Sequence, residues 1–189
     1  CCGKSAFSKS GRRVLLHAGV QNFGSNPREN AFSLARDVYF DSKGLLRQAF
    51  VQELEVLRGT HHVAQRYTVS SGAKLLVSPS GNQLEIKARL LSQAASTKSW
   101  GLVVFGSADL KAGTKIGFNS VHFFVDRRNS GSTSWSPPVE KDVRAGPIPQ
   151  STTDQSIHVF LDRSIISAIA SNETAITVWT HPPDGSVAL

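Results

Sequence analysis

With 189 residues, 40% hydrophobic and 19% charged, the chain holds enough apolar material for one ordinary domain plus a smaller unit, which excludes wholesale disorder. A net charge of +7 raises nucleic acid as a partner. Its densest basic sites, Arg12-Arg13 and Arg127-Arg128, sit in no RNP, KH or zinc-knuckle pattern, so the surplus reads as a solvated surface and no nucleic-acid partner is expected.

No apolar run approaches the roughly 18 residues of a membrane span, and no membrane partner is expected. The two cysteines, Cys1 and Cys2, are adjacent and poorly placed to staple a fold. Methionine is absent, which suggests a chain that begins inside a longer product. Residues 4–20 read as a hairpin turning at Lys9-Ser10-Gly11. Residues 21–30 read as a polar loop, and Ala31-Phe32-Ser33-Leu34 carries the chain onward. Residues 37–40 then form a strand, Asp41-Ser42-Lys43-Gly44 a turn, and Leu45-Leu46 a second short strand. A helical turn or two follows, in which Val51, Leu54 and Leu57 share one face. Glu53 and Glu55 lie near its positive end, Arg58 near its negative end, and Gly59 is the expected left-handed stop.

Beyond Gly59 the pattern is strand and turn. Residues 62–69 alternate weakly, Leu75 to Val77 is apolar, and Pro79-Ser80-Gly81-Asn82 is a turn. Leu84, Ile86, Ala88 and Leu90 alternate with Glu85, Lys87 and Arg89, predicting a strand with one wet face. Residues 100–105 suit a core, with Trp100 in a core position, and 116–118 and 121–125 read as strands. Residues 129–138 and 145–154 read as loops. From Ile157 one strand is expected to run through Ile169, turn at Ser171-Asn172 and return over 175–180. Strands so regularly spaced, with no helical pattern, argue a sandwich.

Several motifs carry a family resemblance. Leu46-Arg47-Gln48 with Val51-Gln52-Glu53-Leu54-Glu55-Val56-Leu57-Arg58 resembles the segment of glycoside hydrolase family 32, the invertases and fructan hydrolases, that links a catalytic propeller to a C-terminal β-sandwich. The family pattern is roughly Leu-x-Gln-x-Pro-Val-x-Glu-x-Glu-x-Leu-Arg; Glu53, Glu55, Leu57 and Arg58 match it, and Phe50 takes the proline's place. Lys4-Ser5, Phe7 and Gly11 to Leu15 resemble the last propeller blade, with Leu16-His17-Ala18 where the family has Trp-Gly-Trp. Leu161-Asp162, Ser164 and Ile166, then Ile176-Thr177 and Pro182, are similar to a sandwich hairpin of the family, which has Glu and Phe where this chain has Ser167 and Ile169. Gln83 to Ile86 and Trp100 to Val104 are similar to two further family strands.

The resemblance implies an all-β fold, an antiparallel β-sandwich of concanavalin-like or jelly-roll type, with a short linking helix and an N-terminal hairpin remnant of a propeller blade. Residues 1–35 would be the remnant, 36–59 the linker and 60–189 the sandwich. The implied function is that of a fragment of a β-fructofuranosidase, the non-catalytic sandwich that stabilises the propeller or mediates association. The alternative is a standalone carbohydrate-binding or structural module without hydrolase activity.

Retaining fructoside hydrolysis needs two carboxylates about 5 Å apart, which the family draws from Asn-Asp-Pro-Asn-Gly and Glu-Cys motifs, with an Arg-Asp-Pro aspartate alongside. None of these motifs occurs in the sequence; Arg36-Asp37 is followed by Val38 and reads as structural. No catalytic residue, cofactor or metal is expected. Gly-x-Ser-x-Gly, a phosphate loop and His-Glu-x-x-His are also absent from the sequence, and His61-His62 would point to opposite sides of a strand. His122 and His158 read as satisfied sheet residues. Trp135 and Trp179 are candidate sugar-stacking platforms. Expected partners are a propeller catalytic domain in the same or a companion chain, fructose-containing sugars, and a second copy joined through an open sheet edge near Leu189 unless residues 1–30 cover it. The family suggests a secreted or a vesicular or vacuolar compartment. Asn172-Glu173-Thr174 has the pattern of a glycosylation acceptor.

Overall fold

The computed structural model describes residues 2–21, 30–62, 66–69, 81–91, 99–107, 111–131, 143–148 and 155–180, with the single residues 72, 109 and 182. The first sheet contains β1 (Cys2–Phe7), β2 (Arg13–Gln21), β4 (Arg36–Phe40) and β5 (Leu46–Phe50) in that order, with β3 (Asn30–Phe32) paired to β2. Local chemistry sets its turns. Gly11 takes φ 78° between β1 and β2. The Asp41 carboxylate accepts the N–H groups of Lys43 and Leu45 at 2.8 and 3.0 Å, and Gly44 at φ 76° closes the turn, a conformation that costs glycine little. The strands expected to belong to a linker thus join the N-terminal hairpin in one sheet.

Two four-stranded antiparallel sheets form the rest: β10-β9-β8-β7 and β13-β12-β11-β6. Their strands are β6 (Gln83–Arg89), β7 (Ser99–Val104), β8 (Thr114–Asn119), β9 (His122–Asp126), β10 (Val143–Pro147), β11 (Ser156–Asp162), β12 (Ile165–Ala170) and β13 (Thr174–Trp179). Alternate residues of each strand point to one face, and the two inner faces supply the core. Val104, Ile116, Phe118, Phe123 and Val125 meet Ile157, Val159, Leu161, Ile166, Ala168 and Val178. Trp100 stacks on Phe118 with centroids 5.2 Å apart and donates its indole N–H to Gln155 at 2.6 Å. The hydroxyls of Thr114 and Thr180, both fully buried, bond each other at 2.8 Å, as a dry interior requires. Gly101 faces Gly117 across β7 and β8, and a Cβ on Gly101 would lie 2.1 Å from the Ile116 carbonyl oxygen.

Several expectations need correction. The single strand from Ile157 to Ile169 is two, β11 and β12, divided at Arg163 and Ser164; Arg163 takes φ 55° with its N–H bonded to the Asn82 carbonyl at 2.7 Å. Arg-Ser is a poor turn signal, so tertiary bonding decides the break. Residues 145–147 belong to β10, which pairs with β9, so that part of the expected loop is strand. Residues 61, 62 and 66–69 are exposed and outside any strand, so no sheet sets the His61-His62 geometry. The expected helix is a 3-10 helix, Gln52–Leu57. Its i, i+3 row eclipses but leaves the protein body: Val51 is buried, Leu54 half-buried and Leu57 exposed. Gly59 is not left-handed. Arg58 departs extended, at φ −69° and ψ 128°, with its N–H on the Glu55 carbonyl. The expected segments at 22–29, 75–77, 79–80, 132–138 and 149–154, and the C-terminal edge beyond residue 182, lie outside the described residues.

Candidate functional site

The segment from β5 through Arg58 is where the first sheet meets the sandwich, and two sets of bonds hold it. One lies along β5. The turn between β12 and β13 carries two successive positive φ values, Ser171 at 46° and Asn172 at 58°, the conformation of a type I′ turn. It presents its carbonyls to the open edge of β5. The Gln48 N–H donates to the Asn172 carbonyl at 2.7 Å, and the Gln48 side-chain amide to the Glu173 carbonyl at 2.5 Å. Arg36 donates to the Gln48 amide oxygen at 2.9 Å, while burial lowers the Arg36 pKa. Arg47 bonds Glu173 on the turn and Asp41 on the first sheet. A strand-edge donor of β5 that would otherwise recruit a foreign strand is thus occupied.

The second set centres on Glu85, in the row of β6 that alternation assigns to water. The carboxylate receives Arg58 through Nε at 2.5 Å and Nη2 at 2.8 Å, His158 Nε2 at 2.8 Å and Lys87 at 3.4 Å. Charge-assisted bonding from Arg58 foremost, partly opposed by burial, pushes its pKa down to about 2. His158 moves the other way from protonation: burial lowers its pKa, and the carboxylate beside it only partly restores it. Phe50 stands edge-on to both His158 and Phe160, with centroids 4.9 and 4.8 Å away.

Within this row Glu85 is half-buried and Lys87 exposed, and β12 is buried on both sides. Ala168 packs in the sandwich core, while Ser167 and Ile169, on its opposite face, are also buried at 3% and 1% exposure. These two positions, where the resemblance is broken, therefore sit at the joint.

Between the two bodies lies a cavity of about 350 Å³. Arg12, Asp37 and Phe50 come to it from the first sheet, Arg58 and Glu55 from the 3-10 segment, and Glu85, Lys87, His158 and Phe160 from the sandwich. Arg12 holds Asp37 at 2.8 Å and also bonds Glu53, so Glu53 has a lowered pKa, chiefly from the Arg12 hydrogen bond. Glu55 takes Arg58 at 2.9 Å. The carboxylates brought together are therefore held by guanidinium groups. Glu85 in particular is pushed away from the raised pKa that a general acid in glycoside hydrolysis requires.

The motif residues Glu53, Glu55 and Arg58 are brought together here, and Leu57 is not. Asp162 and Ser164 lie at the β11–β12 turn, where Gln83 donates to Asp162 at 3.2 Å and the Thr180 N–H to the Ser164 carbonyl at 2.7 Å. Trp179 is half-buried at the end of β13 and outside the cavity lining; its carbonyl receives Arg127 at 2.6 Å. Trp135 lies outside the described residues. Sequence reading placed Phe50 in the linking segment only as the proline's replacement and missed Glu85, Phe160 and Glu173 as joint residues, since alternation or a turn already explains those three.

The family model described as "Glycosyl hydrolases family 32 C terminal" matches residues 53–189. No curated protein matches the chain in sequence. Among solved structures, fructan 1-exohydrolase IIa from Cichorium intybus is similar with a TM-score of 0.78 at 20% identity, over 95% of this chain and 42% of that one. Exo-inulinase from Aspergillus awamori gives 0.76 at 21%, over 94% and 36%. Sucrose-6-phosphate hydrolase from Lactobacillus gasseri gives 0.73 at 19%, over 98% and 38%. At these identities the likeness is one of fold, and the chain spans about two fifths of the length of those structures.

Proposed function

We propose, on the premise that this chain belongs to glycosyl hydrolase family 32 and carries that family's C-terminal β-sandwich, that it is a non-catalytic module whose first sheet packs into a fructoside-hydrolysing propeller and stabilises it. The observation that carries this is apolar exposure on both faces of one sheet. Residues directly opposite across paired strands share a face. The register therefore puts Phe7, Phe40 and Leu46 on one face and Leu16 and Tyr39 on the other. Phe7, Phe40 and Leu46 are 70%, 72% and 58% exposed, and Leu16 and Tyr39 40% and 43%. A sheet that ends a layered structure keeps one polar face; a sheet apolar on both faces belongs between two others. The sandwich grips it along β5 and leaves these residues uncovered.

Phe32, Val56 and Leu57, exposed at 64%, 84% and 71%, fit burial by the same partner, in this chain or a companion chain. The fructose-yielding substrates named for the similar structures would then be cleaved by carboxylates of that partner. Purified alone and incubated with sucrose or inulin, the 189-residue chain is expected to release no fructose; measurable release would overturn the reading. Mixing it with a catalytic propeller of the family is expected to raise the melting temperature of both and to protect Phe40 and Leu46 amides from hydrogen exchange.

A further inference from the structure

We infer, building on the propeller docking proposed above, that the protein surface covering the first sheet is acidic and seats a carboxylate on Arg13. Arg13 lies opposite Phe7 on β1 and Val38 on β4, so it shares a face with Phe7, Phe40 and Leu46. Its guanidinium stands over the exposed Phe7 ring, 5.2 Å from the centroid, and donates from Nε and Nη2 to the Ser5 hydroxyl at 3.2 and 3.1 Å. A ring and a hydroxyl thus fix the plane of an exposed arginine. Held in this way, the planar fork loses little freedom when a carboxylate takes it. The N–H groups of Nη1 have no partner among the described residues.

Arg12, one residue earlier, is satisfied within the chain by Asp37 and Glu53. Among the described residues Arg13 has no such carboxylate, and neither do the exposed Lys9 and Lys43. Lys9 is in the β1–β2 turn and Lys43 in the β4–β5 turn. Because β2 begins where its partner β4 ends, both turns lie at the same end of the sheet. The acid there, Asp41, is occupied by Arg47 and by the N–H groups of Lys43 and Leu45. That end therefore carries Lys9, Arg13 and Lys43 uncompensated around an exposed apolar patch, the pairing of aromatic and arginine that anchors protein interfaces. A neutral or basic surface closing over the patch would leave the Arg13 charge desolvated and unpaired. An Asp or Glu opposite it removes that cost, while Lys9 and Lys43 steer the encounter. An anionic bilayer is the competing partner, and the tip residues Ser8, Ser10, Gly11, Ser42 and Gly44 offer it nothing apolar to take in.

The test is the binding kinetics of the 189-residue chain with a catalytic propeller of the family, from about 50 to about 500 mM NaCl. Affinity is expected to fall about tenfold or more across that range. Arg13→Gln is expected to weaken binding about tenfold, the scale of one charge-assisted hydrogen bond, through faster dissociation. Arg13→Lys, which keeps the charge and loses the fork, is expected to recover only part of this. Lys9→Glu combined with Lys43→Glu is expected to slow association and leave dissociation nearly unchanged, whereas Lys111→Glu, on the sandwich, changes neither. Binding indifferent to salt and to Arg13→Gln would overturn the acidic surface and leave the docking standing. No binding at any salt would overturn the docking, and the acidic surface with it. Co-sedimentation with phosphatidylserine vesicles, lost in Arg13→Gln while the propeller fails to bind, would assign the patch to a membrane and overturn the inference.

Discussion

The sandwich and the first sheet treat apolar and charged side chains in opposite ways. In the sandwich, Phe118, Phe123 and Val159 are no more than 1% exposed, and the buried Arg127 is tied to the Trp179 carbonyl. In the first sheet, phenylalanines and leucines face outward on both sides, while Arg36 and Gln48 turn toward the joint. The hydrophobic effect therefore stabilises the sandwich within this chain, whereas the first sheet joins it through polar bonds and the buried ring of Phe50 and leaves Phe7, Phe40 and Leu46 exposed.

If that division is right, its sharpest test is in the core. Phe123→Ala removes a fully buried ring between the two sheets and is expected to cost about 3–5 kcal/mol, read as a lowered urea midpoint. A much smaller loss would mean that the sandwich is not the stabilising body. At the joint, Glu85→Ala leaves Arg58 and His158 without their carboxylate. The expected cost is about 1–3 kcal/mol, with faster hydrogen exchange along β5 and the 3-10 segment and little change in β8 and β9. Uniform loss across all three sheets would show that the joint and the sandwich unfold as one.

Much of the sandwich was legible because its strands alternate against one core. Leu84 and Ile86, or Val159 and Leu161, announce their faces by period alone. The joint was not, because its side chains obey two environments at once. Glu85 and Lys87 look like a wet row until the first sheet covers one of them. Ile165-Ile166-Ser167-Ala168-Ile169-Ala170 reads as one strand with its neighbour because both of its faces are buried. The break at Arg163 depends on a bond to Asn82, more than eighty residues back, which no local signal carries. Glu53, Glu55 and Arg58 stood out through the resemblance, as did the segments that hold Arg12 and Glu85, but their pairing did not. An ion pair between distant strands leaves no mark on spacing.

Acid probes the same joint more gently. His158 has a folded pKa below its ordinary 6.5, so the folded state resists its protonation and stability is lost as pH falls below that value. Glu85, lowered from 4.5 to about 2, contributes stability above 4.5 that is lost as pH falls toward 2. The groups facing His158 are Glu85 and Lys87 on β6, Arg58 on the linker segment and the rings of Phe50 and Phe160. The cations oppose a second positive charge among them, and only Glu85 welcomes it. Thermal melts are expected to decline first between pH 6.5 and 4.5 and again below 4.5. His158→Asn is expected to flatten the first decline and leave the second. An unchanged first limb would place the titrating group elsewhere.

The smallest effect is the one that separates the two bodies most cleanly. Phe40→Ser, at 72% exposure, removes apolar surface that touches little in this chain, so its stability is expected to change by no more than about 0.5 kcal/mol while its solubility rises. Against the propeller the same substitution should matter, because a side chain that was wet on one side of the equilibrium becomes buried on the other. Weakened protection of the first sheet in the mixed sample, with an unaltered melt of the isolated chain, is the expected pair of results. A substitution that instead destabilises the isolated chain would mean that Phe40 is already covered and that the sheet is an outer layer after all.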